Sequence, residues 1–255
     1  MRRRIVIEAF TVFLQRVGAY GLFFVDCVRS SWRHGVRWDR VLEQAERLGV
    51  RAFPVLAIMA IFVGTNLAIQ GFGAFRSLGA QHLVGMFVAL AGVREVCPLL
   101  AGTMVAAKGG TEMTAQLAVM RTKEQIDALE VMAVDPRAEL VTPSLLAILI
   151  VLPALTIIGI ALSIFSALIV AVVQLHVDVG QFVAFCFDYI EVRDLVAALV
   201  KSLAFGAIIA TVSGYFGFFS ERGPAGVGRA TNRAVVVMCI VCVCINFILS
   251  AVFYG

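Results

Sequence analysis

The feature that most constrains this chain is a run without a single charged side chain, from residue 140 to residue 175. About 20 apolar residues in a helix cross a hydrocarbon core about 30 Å thick. As one helix the run would be about 54 Å long, so it has to tilt, protrude or bend, and Pro153 marks a candidate kink. We therefore predict a membrane-spanning helix here.

The composition extends this prediction to the whole chain. Hydrophobic residues make up 61% of it and charged residues only 15%, whereas soluble domains carry about 25% charged residues. We predict an all-α integral membrane protein with one transmembrane domain, residues 52–255. The predicted spans cover residues 52–75, 78–107, 140–175, 195–220 and 234–255.

The first 51 residues are predicted to lie outside the spans. On a helix, the polar residues of 5–33 fall on one narrow stripe beside a wide apolar face, which favours a helix lying in the membrane interface. An ordinary helix packed on the bundle is the alternative. Residues 34–51 are polar and basic and predict an elbow before the first span. Acidic residues within the N-terminal segment argue against a cleavable signal peptide, and 178–193 is interpreted as a second interfacial segment.

The basic residues are distributed unevenly between the connecting segments. If the N-terminus is cytoplasmic, the cytoplasmic pieces are 1–51, 108–137 and 221–233, and they hold 17 of the 21 Lys and Arg residues. Positive charge accumulates on the cytoplasmic side of membrane proteins. We therefore predict a cytoplasmic N-terminus and, with five spans, a C-terminus on the opposite side. Residues 221–233 are interpreted as a Gly-rich basic loop.

A charged island between the second and third spans predicts a short amphipathic helix at about 121–135. Its charged face carries Lys123, Asp127 and Glu130, and its apolar face carries Ile126, Leu129, Met132 and Ala133. Two interpretations stay open at this point. The helix is either a solvated connector or a segment that docks in a groove of a soluble partner.

A second charged feature lies inside the membrane. Arg94 and Glu95 interrupt the second predicted span, and Lys201 lies near the start of the fourth. Charges within spans are costly and face the protein interior or a wet cavity, so Lys201 is a candidate partner for Glu95. The pair either holds two spans together or takes part in substrate passage or gating.

The sequence motifs of several enzyme classes are missing from this chain. No phosphate-binding loop, G-x-S-x-G or H-E-x-x-H pattern occurs, so we predict no catalytic residue and no metal site. Cys239 and Cys242 have C-x-x-C spacing, but they lie in an apolar run and are interpreted as small helix residues. If ATP drives transport, another chain must hydrolyse it.

Three stretches resemble motifs of one family, the MlaE/YrbE permeases of ABC transporters. Residues 94–99 resemble its R-E-L-G-P-V/L motif, residues 124–136 its E-Q-I-D-A-L-E-V-M-G-V-D-P signature, and residues 226–236 its C-terminal G-V-G-x-A-T-T-x-A-V-V. Their order and spacing match, and the resemblance covers nearly the whole chain.

The resemblance implies a lipid transporter of the bacterial inner membrane. It implies a permease dimer with two cytoplasmic ABC ATPase subunits, a small regulatory subunit on the ATPase, and a ring of MCE-domain proteins on the periplasmic side. ATP and Mg would bind the partner ATPase, so no cofactor, nucleic acid or enzyme activity is expected of this chain itself. The cargo would be lipid, commonly glycerophospholipid, moved between the inner membrane and the outer envelope.

The resemblance also assigns residues. The coupling helix that meets the ATPase would use Lys123, Glu124, Asp127, Leu129, Glu130 and Met132. The lipid cavity would be bordered by Phe62, Asn66, Leu67, Gln70, Leu78, Arg94 and Glu95. Independently of the resemblance, the charged residues within and beside the spans predict an intramembrane charge network of Arg94, Glu95, Lys108, Glu112 and Lys201.

The sequence departs from the family pattern just before the charged island. Lys108 stands where the family has arginine, Gln116 where it has glutamate and Cys97 where it has glycine, while Glu112 lies one helical turn before Gln116. The shifted carboxylate is expected to keep an ion pair on the same helix face.

Two other functions remain as alternatives. A self-contained secondary transporter could use Arg94, Glu95 and Lys201 as an ion or proton relay, and a scaffold could anchor an envelope complex without transport. The residues also leave the cargo open between phospholipid, fatty acid and sterol.

Overall fold

A computed structural model describes residues 18–30, 35, 37–77 and 79–255. In these residues the chain is helical, with no β-strand. Five helices are long and apolar enough to cross a membrane, which confirms the predicted fold class. They are Phe53–Arg76, Gln81–Thr122, Arg137–Val173, Val192–Phe218 and Pro224–Tyr254.

The helices alternate in direction, so the bundle has two ends. The shorter elements are α1 (18–30), α2 (Trp38–Ala45), α7 (Gln125–Val131) and α9 (Val179–Asp188), and the long ones include α3 (Phe53–Arg76), α8 (Thr142–Val173), α10 (Val192–Phe218) and α11 (Pro224–Tyr254). We call one end of the bundle the α7 end and the other the α9 end. The first, third and fifth spans run from the α7 end to the α9 end, and the other two return.

The second span is a helix with two interruptions. Its α-helical parts are α4 (Val84–Ala91), α5 (Cys97–Val105) and α6 (Thr111–Thr122), joined by π-helical turns at Gly92–Val96 and Ala106–Gly110. A π turn holds an extra residue and is frequent at functional sites. Here the first turn carries Arg94 and Glu95, and the second carries Lys108.

Two predicted boundaries are wrong. Of residues 221–233, only 221–223 are a loop, because α11 begins at Pro224. The restricted φ of proline suits a first helical turn, and Gly223 before it has φ +103°. The helix that contains the second predicted span does not end at residue 107 but continues to Thr122, and its last part, α6, packs against α10 and α11. Pro153 lies inside the uninterrupted helix α8.

Helix α1 is docked on the α7 end of α10. Phe23 is buried and its ring contacts Tyr215 and Phe218, at centroid distances of 5.8 Å and 6.2 Å. Burial also raises the pKa of the neighbouring Cys27 thiol to about 12, so this thiol stays protonated at neutral pH. The described part of the predicted interfacial helix is therefore also a packing element of the bundle, and residues 5–17 and 31–33 of the prediction lie outside the described residues.

Helices α3 and α8 pack at very short range. A Cβ added to Gly64 of α3 would clash with the Ser163 carbonyl and the Ser166 hydroxyl of α8. Small residues allow helix backbones in membranes to approach closely, and the Ser166 hydroxyl donates a hydrogen bond across this contact to the Ile61 carbonyl at 3.0 Å.

This contact predicts a position-specific effect in α3. Gly64→Ala should destabilise the protein by about 1–3 kcal/mol, because the added methyl group forces the two helices apart. Gly73→Ala is the matched control, since a Cβ there meets nothing within 4 Å. Thermal unfolding in one detergent should separate the two variants, and equal melting temperatures would contradict the packing argument.

Candidate functional site

A buried lysine organises the polar cluster in the membrane half nearer the α9 end. Lys201 of α10 is fully buried. Its Nζ donates to Glu95 Oε1 at 3.0 Å, to the Arg94 carbonyl oxygen at 2.7 Å and to Ser250 Oγ at 2.6 Å. An ammonium group has three N–H donors, so every donor of Lys201 is used.

The carboxylate of Glu95 is held from α11 as well. Asn246 donates to Glu95 Oε2 at 2.8 Å, and Ser250 donates to Oε1 at 2.6 Å. These two residues lie four apart, on one face of α11. The second, fourth and fifth spans are therefore joined at one ion pair.

Arg94 makes a separate ion pair beside it. Its guanidinium contacts the Asp194 carboxylate of α10, with Nε 2.9 Å from Oδ1 and Nη2 3.1 Å from Oδ2. Asp194 is almost completely buried and also accepts from the backbone N–H of Glu191 at 3.2 Å. Arg94 Cζ lies 4.7 Å from the ring centroid of Tyr254, a cation–π contact at the end of α11.

Four members of this cluster were not predicted from the sequence. Asn246, Ser250 and Tyr254 lie in a run that reads only as an apolar span, and Asp194 lies at the boundary between a predicted interfacial segment and a span. The spacing of Glu191 and Asp194 is a helix N-terminus signal, and it was the available clue that Asp194 belongs to α10.

The predicted single charge network divides into two. Lys108 donates to the carbonyl oxygen of Arg51, and Glu112 accepts from Arg47 Nε at 2.6 Å. Both contacts lie at the α7 end, because 14 helical residues separate Lys108 from Arg94, about 21 Å of rise. The carboxylate at position 112 thus pairs with an arginine of the segment after α2.

The residues predicted to border a lipid cavity lie on two different surfaces. Phe62 and Gln70 are exposed on one face of α3, with Asn66 between them donating to the Phe62 carbonyl at 2.9 Å. Leu67 packs inward toward the π turn at Gly92, and Leu78 lies outside the described residues. Arg94 and Glu95 instead direct their charges to α10 and α11.

An apolar groove of about 470 Å³ lies near the α9 end. Helices α8, α9 and α10 form its walls, and none of the six described residues predicted for the lipid cavity lines it. Its lining includes Val93, Ile157, Ile160, Phe165, Phe187 and Leu195. Val93 directly precedes Arg94, and Leu195 directly follows Asp194. The groove therefore lies close to the ion pair of Arg94 and Asp194.

Helix α7 is shorter than predicted and begins at a tight turn. It covers Gln125–Val131 only, because Glu124 adopts a left-handed conformation with φ +58° that ends α6 and redirects the chain. Arg121 and Thr122 therefore belong to α6. The predicted helix of 121–135 is wrong in both boundaries, although its core residues are helical.

The two faces of α7 also differ from the amphipathic prediction. Ile126 is fully buried, whereas Asp127 is partly exposed and pairs with Arg121 and with Arg222 of the α10–α11 loop. Met132, assigned to the apolar face, is instead 67% exposed, and Val131 is 88% exposed.

The exposed surface of this segment combines charge and large apolar side chains. We call it the α7 tip. It consists of Lys123, Glu130, Val131, Met132 and Val134. Leu129 is half-buried beneath it.

Comparisons with known proteins agree with this architecture. The family described as Permease MlaE matches residues 41–252. A protein of Rickettsia felis named "Probable ABC transporter permease protein" is 35% identical over 242 residues, which cover 95% of this chain and 93% of that protein.

Two further relatives have names that mention more specific systems. The intermembrane phospholipid transport system permease protein MlaE of Haemophilus influenzae is 29% identical over 244 residues, covering 95% of this chain and 94% of that protein. The chloroplastic protein TRIGALACTOSYLDIACYLGLYCEROL 1 of Arabidopsis thaliana is 31% identical over 219 residues, covering 86% and 63%.

The spans, the connecting helix α7 and these similarities define the class of the protein, a membrane-embedded permease subunit of an ABC transporter. Within that class, the chain belongs to the MlaE permease family. In the described part of the chain, no three His, Cys, Asp or Glu side chains are grouped to hold a metal ion.

The ion pair of Glu95 and Lys201 predicts a measurable penalty. Glu95→Ala leaves the ammonium of Lys201 buried without its carboxylate, which should destabilise the fold by about 3–5 kcal/mol. The double variant Glu95→Gln with Lys201→Met removes both charges and should recover much of that loss. Thermal unfolding in detergent measures both, and a double variant no more stable than Glu95→Ala would contradict the ion-pair argument.

Proposed function

We propose that this chain is the membrane subunit of an ATP-driven transporter that moves glycerophospholipids between the inner membrane and the outer envelope. A separate cytoplasmic ATPase pair would bind ATP and Mg, and MCE-domain proteins would receive or deliver lipid on the periplasmic side. Two copies of the chain would form the permease. The N-terminus and the α7 end are cytoplasmic in this proposal, and the C-terminus is periplasmic.

The α7 tip is the observation that carries the proposal. Val131 and Met132 are both largely exposed, and the same short segment carries the exposed charges of Lys123 and Glu130. Such a surface is typical of a helix that fits a groove of a soluble protein. In an ABC transporter the soluble partner beside the permease is the ATPase.

The lipid role is supported by the relatives' printed names and by the apolar surfaces. The Haemophilus influenzae relative is named for phospholipid transport. In this chain, the exposed face of α3 combines the Phe62 ring with the amides of Asn66 and Gln70, and the groove beside α9 offers apolar surface. Leu67 packs inward, and Arg94 and Glu95 pair with α10 and α11, so this geometry does not add them to either surface. Leu78, the remaining cavity residue that the resemblance assigns, lies outside the described residues.

The geometry gives a proton relay little support. Lys201 already uses all three of its donors, and the Glu95 carboxylate accepts from three side chains. These contacts favour a static ion pair that joins spans over a group that exchanges protons with a pathway.

If the α7 tip docks on the ATPase, substitutions in this surface should weaken ATPase binding. Glu130→Lys and Met132→Asp should each reduce ATPase co-purification with the permease by about tenfold, because they change the charge or the apolar contact of the α7 tip. Glu46→Lys, an equal charge reversal at an exposed residue of the same end, should leave co-purification unchanged. Normal ATPase recovery with both α7 variants would contradict the assignment.

The lipid assignment predicts a cargo in the purified complex. Mass spectrometry of lipid extracted from the intact complex should show glycerophospholipid enriched over its share in the surrounding membrane. Enrichment of free fatty acid or sterol instead would replace the proposed substrate class while leaving the ATPase docking unaffected.

A further inference from the structure

The short loop between α10 and α11 is built as a rigid turn. Gly223 at φ +103° reverses the chain, and Arg229 of α11 forms an ion pair back to Glu221. A Cβ added to Gly226 would clash with the Glu221 carbonyl oxygen, so the turn closes tightly on the first turn of α11. The side chain between these anchors, Arg222, therefore projects from a well-defined base.

Arg222 reaches the carboxylates at the start of α7. Its Nη1 donates to Glu124 Oε1 at 3.0 Å, and its Nη2 donates to Asp127 Oδ2 at 2.6 Å. The adjacent backbone N–H of Gly223 donates to Thr122 Oγ1 at 3.2 Å. Three contacts thus cross from the α10–α11 loop to the junction of α6 and α7.

These contacts give α7 a connection that the chain order does not provide. By covalent linkage α7 is attached only to α6 and, through residues 132–141, to α8. Through Arg222 it is also attached to α10 and α11, the two helices that carry Lys201 and Asn246 and so hold Glu95 at the opposite end. A displacement of α7 would otherwise reach these helices only through side-chain packing.

We propose that Arg222 is a positioning residue that transmits movement of α7 to α10 and α11. The inference rests on the proposed function, in which the ATPase moves α7. It divides five of the six predicted coupling residues into two groups with different tasks, while Leu129 is half-buried and belongs to neither. Glu124 and Asp127 face the chain's own arginine, whereas Lys123, Glu130 and Met132 remain for the partner.

The ion pairs of Arg222 with Glu124 and Asp127 are weak enough to let α7 move. Arg222 is 55% exposed and Glu124 is 66% exposed, and exposed ion pairs are weak and screened by salt. The planar guanidinium can serve both carboxylates at once, which an ammonium on a flexible stem does less well. These ion pairs therefore favour one position of α7 but can break and re-form when α7 moves.

The first test uses the purified permease alone in lipid nanodiscs at low ionic strength. Amide hydrogen exchange of residues 122–131 should become about three- to tenfold faster in Arg222→Gln, since two exposed ion pairs are lost. Arg233→Gln removes an exposed arginine from the same end of α11 and should leave this exchange unchanged. High salt should bring the wild-type rate toward that of Arg222→Gln.

Further variants keep the test interpretable. Arg222→Lys should give an intermediate exchange rate, and Glu124→Gln should reproduce part of the change with the arginine intact, even if Arg222→Gln folds poorly. Exchange at 122–131 that is unchanged in both Arg222→Gln and Glu124→Gln overturns the proposal.

The second test uses the assembled complex in liposomes. Arg222→Gln should retain the ATPase and hydrolyse ATP, while lipid transferred per ATP falls about tenfold, because movement of α7 then reaches α10 and α11 only through side-chain packing. An unchanged ratio of transport to hydrolysis overturns the proposed transmission. If the wild-type chain binds no ATPase at all, the proposed function fails, but the exchange result on the isolated permease still decides whether Arg222 positions α7.

Discussion

The buried ammonium of Lys201 is the interaction on which the membrane part of this structure depends. In hydrocarbon a charge without partners is strongly unfavourable, so the helices must arrange themselves to supply three acceptors. Those acceptors come from the π turn of the second span and from α11. Apolar packing alone would let these spans slide or rotate in lipid, since lipid tails are as apolar as the side chains. The polar cluster specifies one arrangement.

At the α7 end the charged side chains do not need protein partners to the same degree, because water is available there. Its ion pairs join α7 to α6 and to the α10–α11 loop, and most of their side chains are partly exposed. Each such pair contributes at most about 1 kcal/mol. The bundle thus combines a strongly specified polar cluster within the membrane with a weakly held connection outside it. This difference suits a subunit in which force enters at one end and the helices beyond move as rigid units.

The sequence predicted the span count and the partnership of Glu95 with Lys201, because long apolar runs and isolated intramembrane charges each have few physical solutions. It did not predict the boundaries near Gly223 and Glu124. There the backbone conformation depends on tertiary contacts, and glycine-rich stretches read as loops. Asp194 and Ser250 were missed for a related reason. A single polar residue in an apolar helix carries no signal of its partner until the fold brings the two together.

The π turns of the second span affect how such a helix can tolerate insertions and deletions during evolution. Each π turn holds one more residue than an α turn would. Deleting one residue between Gly92 and Val96 could therefore restore a regular α-helix without removing a whole helical turn from the second span. The side chains on either side of the turn would keep their helix faces, because the wider turn absorbs the extra residue, and only the residues within the turn would be redirected. The direction in which Arg94 and Glu95 point is therefore adjustable by a single-residue insertion or deletion, independently of how α6 enters α7. Related permeases could redirect the charges inside the membrane in this way while leaving α7 unchanged.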